Sequence, residues 1–379
     1  MRDDTRNISD DARVMIALDG VSKRYPGVAD AAVADLTMEV RAGETVALVG
    51  PSGCGKTTTL KMINRLIEPT SGSIVVDGVD VLEQDPVQLR RGIGYVIQNV
   101  GLMPHRTVED NIATVPRLLG WEHDRIRTRT RELVDIFQLD SAMLSRYPAE
   151  LSGGQRQRVG VARALAADPP VMLMDEPFGA VDPIVRVRLQ DQFLDIQKRL
   201  QKTVVFVTHD IDEAIKMSDR VAVMNVGGKL EQYDSPQSIL RDPAGEFVQR
   251  FIGAERGLKR LSLVRVADVE IEDGPVISVS ATVEEALEEM QRHGSSWCTV
   301  IDTTGALQGW VDRHMLADVE VVSEVEPKRF SAYVTPASSL RHALDSIVTS
   351  RTRVAVVADE NDRYLGVLSV ERISRDITA

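Results

Sequence analysis

Short apolar runs recur in the first two thirds of the chain and alternate with helical patterns. The runs ETVALVG at 44–50, VMLMDEP at 171–177 and TVVFVTHD at 203–210 each end in turn-forming or acidic residues. Continuous apolar runs of this length are typical of parallel strands that are buried on both faces. We therefore predict an α/β domain built around a buried parallel sheet.

A long polar segment separates the first of these runs from the second. It extends from about 98 to 163 and is rich in helical patterns, so we predict a helical subdomain there. The α/β pattern continues to about Gly253. We place the end of the first domain at 255 and predict a polar linker at 256–260.

The rest of the chain contains an internal repeat with a constant shift of about 57 residues. TVEEALEEM at 282–290 aligns with SLRHALDSI at 339–347, and CTVIDTTGALQGWVD at 298–312 aligns with AVVADENDRYLGVLS at 355–369. Each copy reads as helix, strand, turn, strand and helix. We predict two small βα modules packed on one another, at about 261–321 and 322–379, and core positions for Trp297 and Trp310.

Composition excludes several classes of protein. Hydrophobic residues make up 43% of the chain and charged residues 27%, a balance typical of globular proteins. The formal net charge of −12 argues against a nucleic-acid partner, because phosphate backbones attract basic surfaces. The sequence contains neither a long apolar stretch nor a signal-peptide pattern, so we expect no spanning helix. Two distant cysteines, Cys54 and Cys298, indicate a reducing compartment.

The stretch GPSGCGKTT at 50–58 follows the first apolar run and precedes a helical pattern. This is the glycine-rich phosphate loop, in which backbone N–H groups and a helix N-terminus surround phosphate oxygens. Lys56 is expected to reach the outer phosphates of the bound ligand, and the Thr57 hydroxyl to bind Mg²⁺. The predicted nucleotide-binding residues of the loop are Gly50, Pro51, Ser52, Gly53, Cys54, Gly55, Lys56, Thr57 and Thr58.

Polar residues at the ends of other apolar runs complete a candidate catalytic site. Asp175 and Glu176 follow a buried run at the edge where parallel sheets bind ligands. We predict that Asp175 holds Mg²⁺ and that Glu176 orients and deprotonates the attacking water. His209 and Gln98 end two further runs and are expected to face the terminal phosphate, with Gln98 also a candidate Mg²⁺ ligand.

A second glycine-rich stretch, LSGGQRQR at 151–158, also opens onto a helix. Together with the phosphate loop, Gln98, VMLMDEP, GAVD at 179–182 and His209, it resembles the ATPase subunit of the ABC transporter family over about 14–253. The resemblance implies a P-loop ABC-type fold and two copies that enclose each ATP between the loop of one and the signature LSGGQ of the other. The residues it places at the nucleotide are Ser152, Gly153, Gly154, Gln155, Asp182 and Tyr25, the last as an adenine-stacking ring.

Several segments resemble the subfamily that imports glycine betaine, proline, carnitine or choline, among them KMINRLIEPTSG at 61–72 and GYVIQNVGLMPHRTVEDNIA at 94–113. The resemblance implies a membrane permease as partner, an extracytoplasmic substrate-binding protein acting indirectly, and a position on the cytoplasmic face of the membrane. Another amine or amino acid as cargo, and a soluble ABC ATPase outside transport, remain as alternatives.

The C-terminal repeat resembles a tandem pair of CBS modules over about 261–377, which implies a regulatory role. Such pairs respond to ionic strength, to membrane charge or to a bound nucleotide. The candidate ligand residues here are Asp312, Ser369, Arg351 and Arg353, although the full nucleotide-binding pattern is lacking.

Overall fold

The computed structural model describes residues 13–98, 101–179, 181–330, 333–350 and 352–378. The chain divides into two compact units, 1–253 and 254–379. The division falls two residues before the predicted end of the first domain. Among the residues that the structure describes, no helix has both the length and the apolar composition needed to span a bilayer.

The first unit combines strands with helices of varied length. Its strands are β1 (Val14–Lys23), β2 (Val33–Arg41), β3 (Thr45–Val49), β4 (Ser71–Val76), β5 (Val79–Asp80), β6 (Ile93–Val96), β7 (Val171–Asp175), β8 (Thr203–Val207), β9 (Arg220–Asn225) and β10 (Lys229–Asp234). Its helices are α1 (Lys56–Ile63), α2 (Pro86–Gly92), α3 (Val108–Ile112), α4 (Thr114–Leu118), α5 (His123–Ile136), α6 (Gly153–Leu165), α7 (Pro183–Leu200), α8 (Ile211–Met217), α9 (Pro236–Arg241) and α10 (Glu246–Ile252).

A largely parallel sheet forms the centre of this unit, in the order β10-β9-β3-β8-β7-β6. The predicted apolar runs form β3, β7 and β8, which are buried along their whole length and pair in parallel. Their carboxyl ends therefore lie side by side at one edge, where β6 also ends. This confirms the predicted α/β fold and brings the candidate residues together.

An antiparallel sheet in the order β2-β1-β4-β5 packs against the parallel one and shares its core. This second sheet was not expected from the sequence. In β2 the buried residues Leu36, Met38 and Val40 alternate with exposed ones, as expected of a strand with one solvated face. Helices α3, α4, α5 and α6 lie between β6 and β7, in the region predicted to be a helical subdomain.

The second unit contains shorter elements. Its strands are β11 (Val276–Ser278), β12 (Trp297–Ile301), β13 (Leu307–Asp312), β14 (Ala355–Ala358) and β15 (Tyr364–Leu368). Its helices are α11 (Arg256–Leu263), α12 (Val283–Arg292), α13 (Leu340–Thr349) and α14 (Val370–Thr378). The predicted linker at 256–260 is thus wrong: those residues belong to α11, which buries Leu261 against the core of the second module.

The two repeats share local geometry at matching positions. Thr282 and Ser339 cap α12 and α13, each accepting a hydrogen bond from the amide three residues later. Gly309 and Gly366 both have a positive φ, 148° and 143°. A Cβ at Gly309 would lie 2.4 Å from the carbonyl oxygen of Lys328, so the strand pairing requires glycine there. The repeat is therefore a structural one.

The modules exchange their leading segments. Val266, at the start of the first repeat, donates a backbone hydrogen bond of 2.9 Å to Ser338 just before α13, and it is buried in the core with elements of the second repeat. Val322, at the start of the second repeat, donates one of 3.0 Å to Ala281 just before α12 and is buried with elements of the first. Each module therefore needs the other repeat to complete its core.

The first repeat lacks the second helix that we predicted for it. After β13 the chain turns at Asp312, whose carboxylate accepts hydrogen bonds from the amides of His314 and Met315. Residues 313–318 form turns before the chain pairs near α12. In the second repeat, α14 occupies the predicted position.

Candidate functional site

The phosphate loop connects β3 to α1 and is shaped by glycines. Gly50, Gly53 and Gly55 have φ values of 150°, 80° and 92°, a region that side chains rarely adopt. A Cβ at Gly55 would lie 2.3 Å from the carbonyl oxygen of Ala32, and one at Gly50 would lie 2.1 Å from that of Met224. At Gly50 and Gly55 the loop consequently approaches other backbone too closely for any residue but glycine.

Lys56 lies inside the loop, with its side chain almost fully buried. Its ammonium group donates hydrogen bonds to the carbonyl oxygens of Gly50, at 2.8 Å, and Pro51, at 3.0 Å. The buried Cys54 sulfur lies 3.6 Å from the same nitrogen. Lys56 therefore positions a full positive charge where the loop opens, as outer phosphates require.

Thr57 and Asp175 are in direct contact. The Thr57 hydroxyl donates a 2.9 Å hydrogen bond to Oδ1 of Asp175, although the two residues are 118 positions apart. Burial raises the pKa of Asp175, and the bond from Thr57 opposes that rise. A hydroxyl and a carboxylate at one point beside a phosphate loop are the hard oxygen donors that Mg²⁺ prefers, so the residues fit this ion.

Glu176 is held by the two other predicted catalytic residues. Nε2 of Gln98 donates a 2.8 Å hydrogen bond to Oε2 of Glu176, and Nδ1 of His209 lies 3.5 Å from Oε1. These residues come from the ends of β6, β7 and β8, so the parallel sheet creates the cluster. Since the Gln98 amide nitrogen faces Glu176, its role as an Mg²⁺ ligand stays a prediction.

A cavity of about 490 Å³ joins the phosphate loop to this cluster. The phosphate loop and Lys56 line one part of it, and the carboxylate of Glu176 and the ring of His209 line another. Such a site can bind a polyphosphate and place a water molecule beside its last phosphorus atom. The lining residues are Ala32, Ser52, Gly53, Cys54, Gly55, Lys56, Thr57, Thr58, Glu176 and His209.

The signature residues are not among those lining this cavity. Ser152 caps α6: its hydroxyl accepts a hydrogen bond from the Gln155 amide, and the Gln155 side chain accepts one from the Ser152 amide. Ser152 and Gly153 are exposed, and Gly153 has open space around its Cα. Ser152 and Gly153 are thus accessible to solvent, and no residue of the signature lines the cavity at the phosphate loop.

Tyr25 and Asp182 also lie outside the cavity lining. Tyr25 follows β1 and is 40% exposed, with the Lys23 ammonium 5.5 Å from its ring centre. Asp182 caps α7 by accepting a 3.0 Å hydrogen bond from the amide of Ile184. Adenine stacking by Tyr25 and nucleotide contact by Asp182 stay predictions.

Sequence reasoning missed three features of the site. Glu176 has a φ of 45°, which places it in the left-handed region. Glu213 is buried and accepts a 2.5 Å hydrogen bond from Thr208, the residue before His209. Gln157 is 4% exposed and donates to the carbonyl oxygen of Pro177. Of these three, only the burial of Gln157 could have been found from the sequence, because Gln157 lies four residues before Val161 on the apolar face of α6.

Comparison with known proteins now identifies the family. The ABC transporter family model matches residues 33–179, and the CBS domain model matches 266–321 and 322–378. The glycine betaine/carnitine/choline transport ATP-binding protein OpuCA of Bacillus subtilis is 44% identical over 94% of both chains. The osmoprotectant import ATP-binding protein OsmV of Salmonella typhimurium is 47% identical over 95% of both.

The chain belongs to the family of ABC transporter ATP-binding subunits. Two solved structures of the cassette MJ0796 are also similar. One is dimeric and matches 59% of this chain and 99% of its own, with 33% identity and a TM-score of 0.53. The other is a dimeric post-hydrolysis state bound to ADP and Pi, with 32% identity and the same TM-score. The resemblance that the motifs indicated is confirmed.

The candidate ligand residues of the CBS pair are engaged in local structure. Asp312 closes the turn after β13 and lies 3.3 Å from the Lys328 ammonium, while Ser369 accepts a 3.1 Å hydrogen bond from the Arg372 amide. Arg351 lies outside the described residues. A ligand at this pair stays a prediction.

The two tryptophans of the first repeat pack in an apolar cluster between the modules, as predicted. Trp297 is 8% exposed, and its ring meets that of Phe330 edge to face with 6.3 Å between centroids. Trp310 is half-buried in the same cluster.

Proposed function

We propose that this chain is the ATP-binding and ATP-hydrolysing subunit that energises an importer of osmoprotectants such as glycine betaine, choline, carnitine or proline. The observation that carries the proposal is that Lys56, Thr57, Glu176 and His209 line one cavity. Asp175 is joined to it by the hydrogen bond from Thr57. The names of its relatives support the cargo class.

In this proposal, the chain's own residues divide the work of hydrolysis. Lys56 and the loop amides bind the outer phosphates, and Thr57 and Asp175 would hold Mg²⁺, which would supply positive charge to neutralise them. Glu176 accepts the proton of the attacking water, with Gln98 and His209 fixing its carboxylate. Phosphoryl transfer needs mainly positioning and charge stabilisation, which this arrangement supplies.

The outward-facing signature supports a second copy of the chain as partner. Ser152, Gly153 and Gly154 lie apart from the chain's own cavity, so a two-fold pair would present them to the neighbour's nucleotide. We propose that ATP closes this pair and that hydrolysis opens it. A membrane permease would take up the movement and hold the chain at the membrane, with a substrate-binding protein delivering the solute.

Replacing Glu176 by Gln tests the catalytic assignment. Turnover should fall by about 10²–10⁴-fold because the general base is lost. Binding of a fluorescent ATP analogue should be retained, since Lys56 and the loop are unchanged. Exposed Glu83→Gln serves as the control and should hydrolyse ATP normally. Near-normal hydrolysis by Glu176→Gln would remove Glu176 from the mechanism.

The transport role is tested separately from catalysis. Uptake of labelled betaine should be absent in a strain without the gene and restored by the wild-type chain. The chain should also copurify with an integral membrane permease. Restored uptake of a different amine would change the cargo, and the absence of any permease would favour a soluble ABC ATPase.

A further inference from the structure

Two neighbouring turns of helix α6 differ in their exposure to solvent. Its first turn presents the signature residues to solvent, whereas Gln157, one turn later, points into the protein. The Gln157 amide nitrogen donates a hydrogen bond to the carbonyl oxygen of Pro177, in the segment that follows β7. The helix that carries the signature is therefore bonded to the residue next to Glu176.

The backbone at Glu176 is held in an unfavourable conformation. A φ of 45° is costly for a residue with a side chain and persists only where neighbours hold it. The Glu176 amide donates a 3.0 Å hydrogen bond to Val207 of β8, and its carbonyl accepts one of 3.1 Å from Gly179. These bonds hold Glu176 itself, while Gln157 holds the next peptide from the side of α6.

Gln157 is buried, and the segment that accepts its hydrogen bond is buried with it. Pro177 lacks an amide hydrogen, so its carbonyl is the group through which its backbone can be hydrogen-bonded. Phe178, the next residue, is 3% exposed and packs edge to face on Phe193 of α7. A buried amide with a single backbone acceptor beside a strained residue is well placed to set the direction of that residue's side chain.

We propose that Gln157 is a positioning residue for hydrolysis, which orients Glu176 from the signature helix of the same chain. The inference rests on the proposed function, in which Ser152 contacts the nucleotide of the partner copy. The N-terminus of α6 would then contact the nucleotide bound by the partner copy. Gln157 on the same helix would hold Glu176 in the chain's own site. Hydrolysis in each site would depend on the position of the helix that serves its neighbour.

Gln157→Met tests the proposal in the full-length chain. Methionine has a similar length and fills the same space, but it cannot donate to Pro177. We expect kcat to fall by about ten- to a hundredfold, because small displacements of a catalytic group are costly, while KM for ATP stays within about twofold. Gln192→Met on α7 is the matched control. Gln192 is a half-buried glutamine bonded only to another side chain among its described contacts, at Gln138, and its replacement should leave kcat unchanged.

A pH profile separates positioning from a general packing role. Gln157→Glu has the same shape, and its carboxyl donates to Pro177 only when protonated. Burial favours the neutral form of a carboxyl group. The ratio of the variant's kcat to that of wild type should therefore rise as the pH falls from about 8.5 to 6. A ratio that does not change with pH, or an unchanged kcat in Gln157→Met, overturns the proposal.

Failure of the proposed function would look different. In a Glu176→Gln background, ATP should drive association of the chains whether or not Gln157 is replaced, because Gln157 acts after binding. Light scattering with and without ATP measures this. If the chains never associate, the shared-nucleotide arrangement fails. If they associate while Gln157→Met hydrolyses ATP normally, only the role of Gln157 fails.

Discussion

The residue before His209 is tied to a buried acid. The Thr208 hydroxyl donates to Glu213 and accepts a 3.0 Å hydrogen bond from the Asp210 amide, so the turn that carries His209 is held on both sides. Burial raises the pKa of Glu213, and the bond from Thr208 counters part of that rise. Glu213 thus holds the turn through Thr208, and the free-energy cost of burying its carboxyl group is larger when that group is ionised.

Replacing Glu213 by Gln should change how stability depends on pH. Because the folded-state pKa lies above the unfolded value, the folded chain binds this proton more readily, and stability is lost as the pH rises through the folded pKa. The free energy of unfolding of Glu213→Gln relative to wild type should therefore be higher at pH 8 than at pH 5. Urea unfolding at both pH values measures it, with exposed Glu246→Gln as the control. An equal difference at both values would contradict the assignment.

At the scale of elements, α11 decides where the second unit begins. Its polar composition favours a linker, yet Leu261 is 1% exposed and lies in the core with Val266 and Leu340. Leu258 on the same helix is 41% exposed. A short amphipathic helix gains its stability from the surface it buries rather than from propensity, and this sequence pattern is weak over two turns.

A pair of substitutions in α11 tests this packing. Leu261→Ala should lower the free energy of unfolding of the second unit by about 2–5 kcal/mol, because it leaves a cavity in the core. Leu258→Ala should change it by less than about 0.5 kcal/mol, as is usual at exposed positions. Calorimetry of the full-length chain measures both. Equal effects would mean that α11 does not pack as described.

Over the whole molecule, the two units have separate cores. The residues that line the phosphate-loop cavity all belong to the first unit, and none of the described residues after Gly253 is among them. The proposed regulation through the CBS pair can therefore be separated from hydrolysis by truncation.

A chain that ends after Gly253 should keep ATP hydrolysis and betaine uptake in the permease complex but lose their dependence on salt. The reconstituted complex is assayed for ATPase activity against betaine and against ionic strength, with the full-length chain as reference. A truncated complex that still responds to salt would place the sensor elsewhere. Loss of all hydrolysis would mean that the first unit does not function without the second.

The sequence by itself determined which residues make up the candidate site and where the repeat lies. The spacing of Gly50, Lys56 and Thr57 and the carboxylates after an apolar run are local patterns, and each was found where predicted. The shift of about 57 residues also aligned Thr282 with Ser339, and in the structure both residues cap a helix. The periodicity of apolar residues and the residue types of turns depend on neighbouring positions, so they can be recognised in the sequence alone.

Only the tertiary structure decided which distant groups meet. The antiparallel sheet, the exchange of leading segments between the modules, the left-handed backbone of Glu176 and the bond from Gln157 to Pro177 all depend on contacts across long stretches of chain. Such contacts are selected by how the whole core packs, and a strained backbone is tolerated only where that packing holds it. No local pattern contains this information.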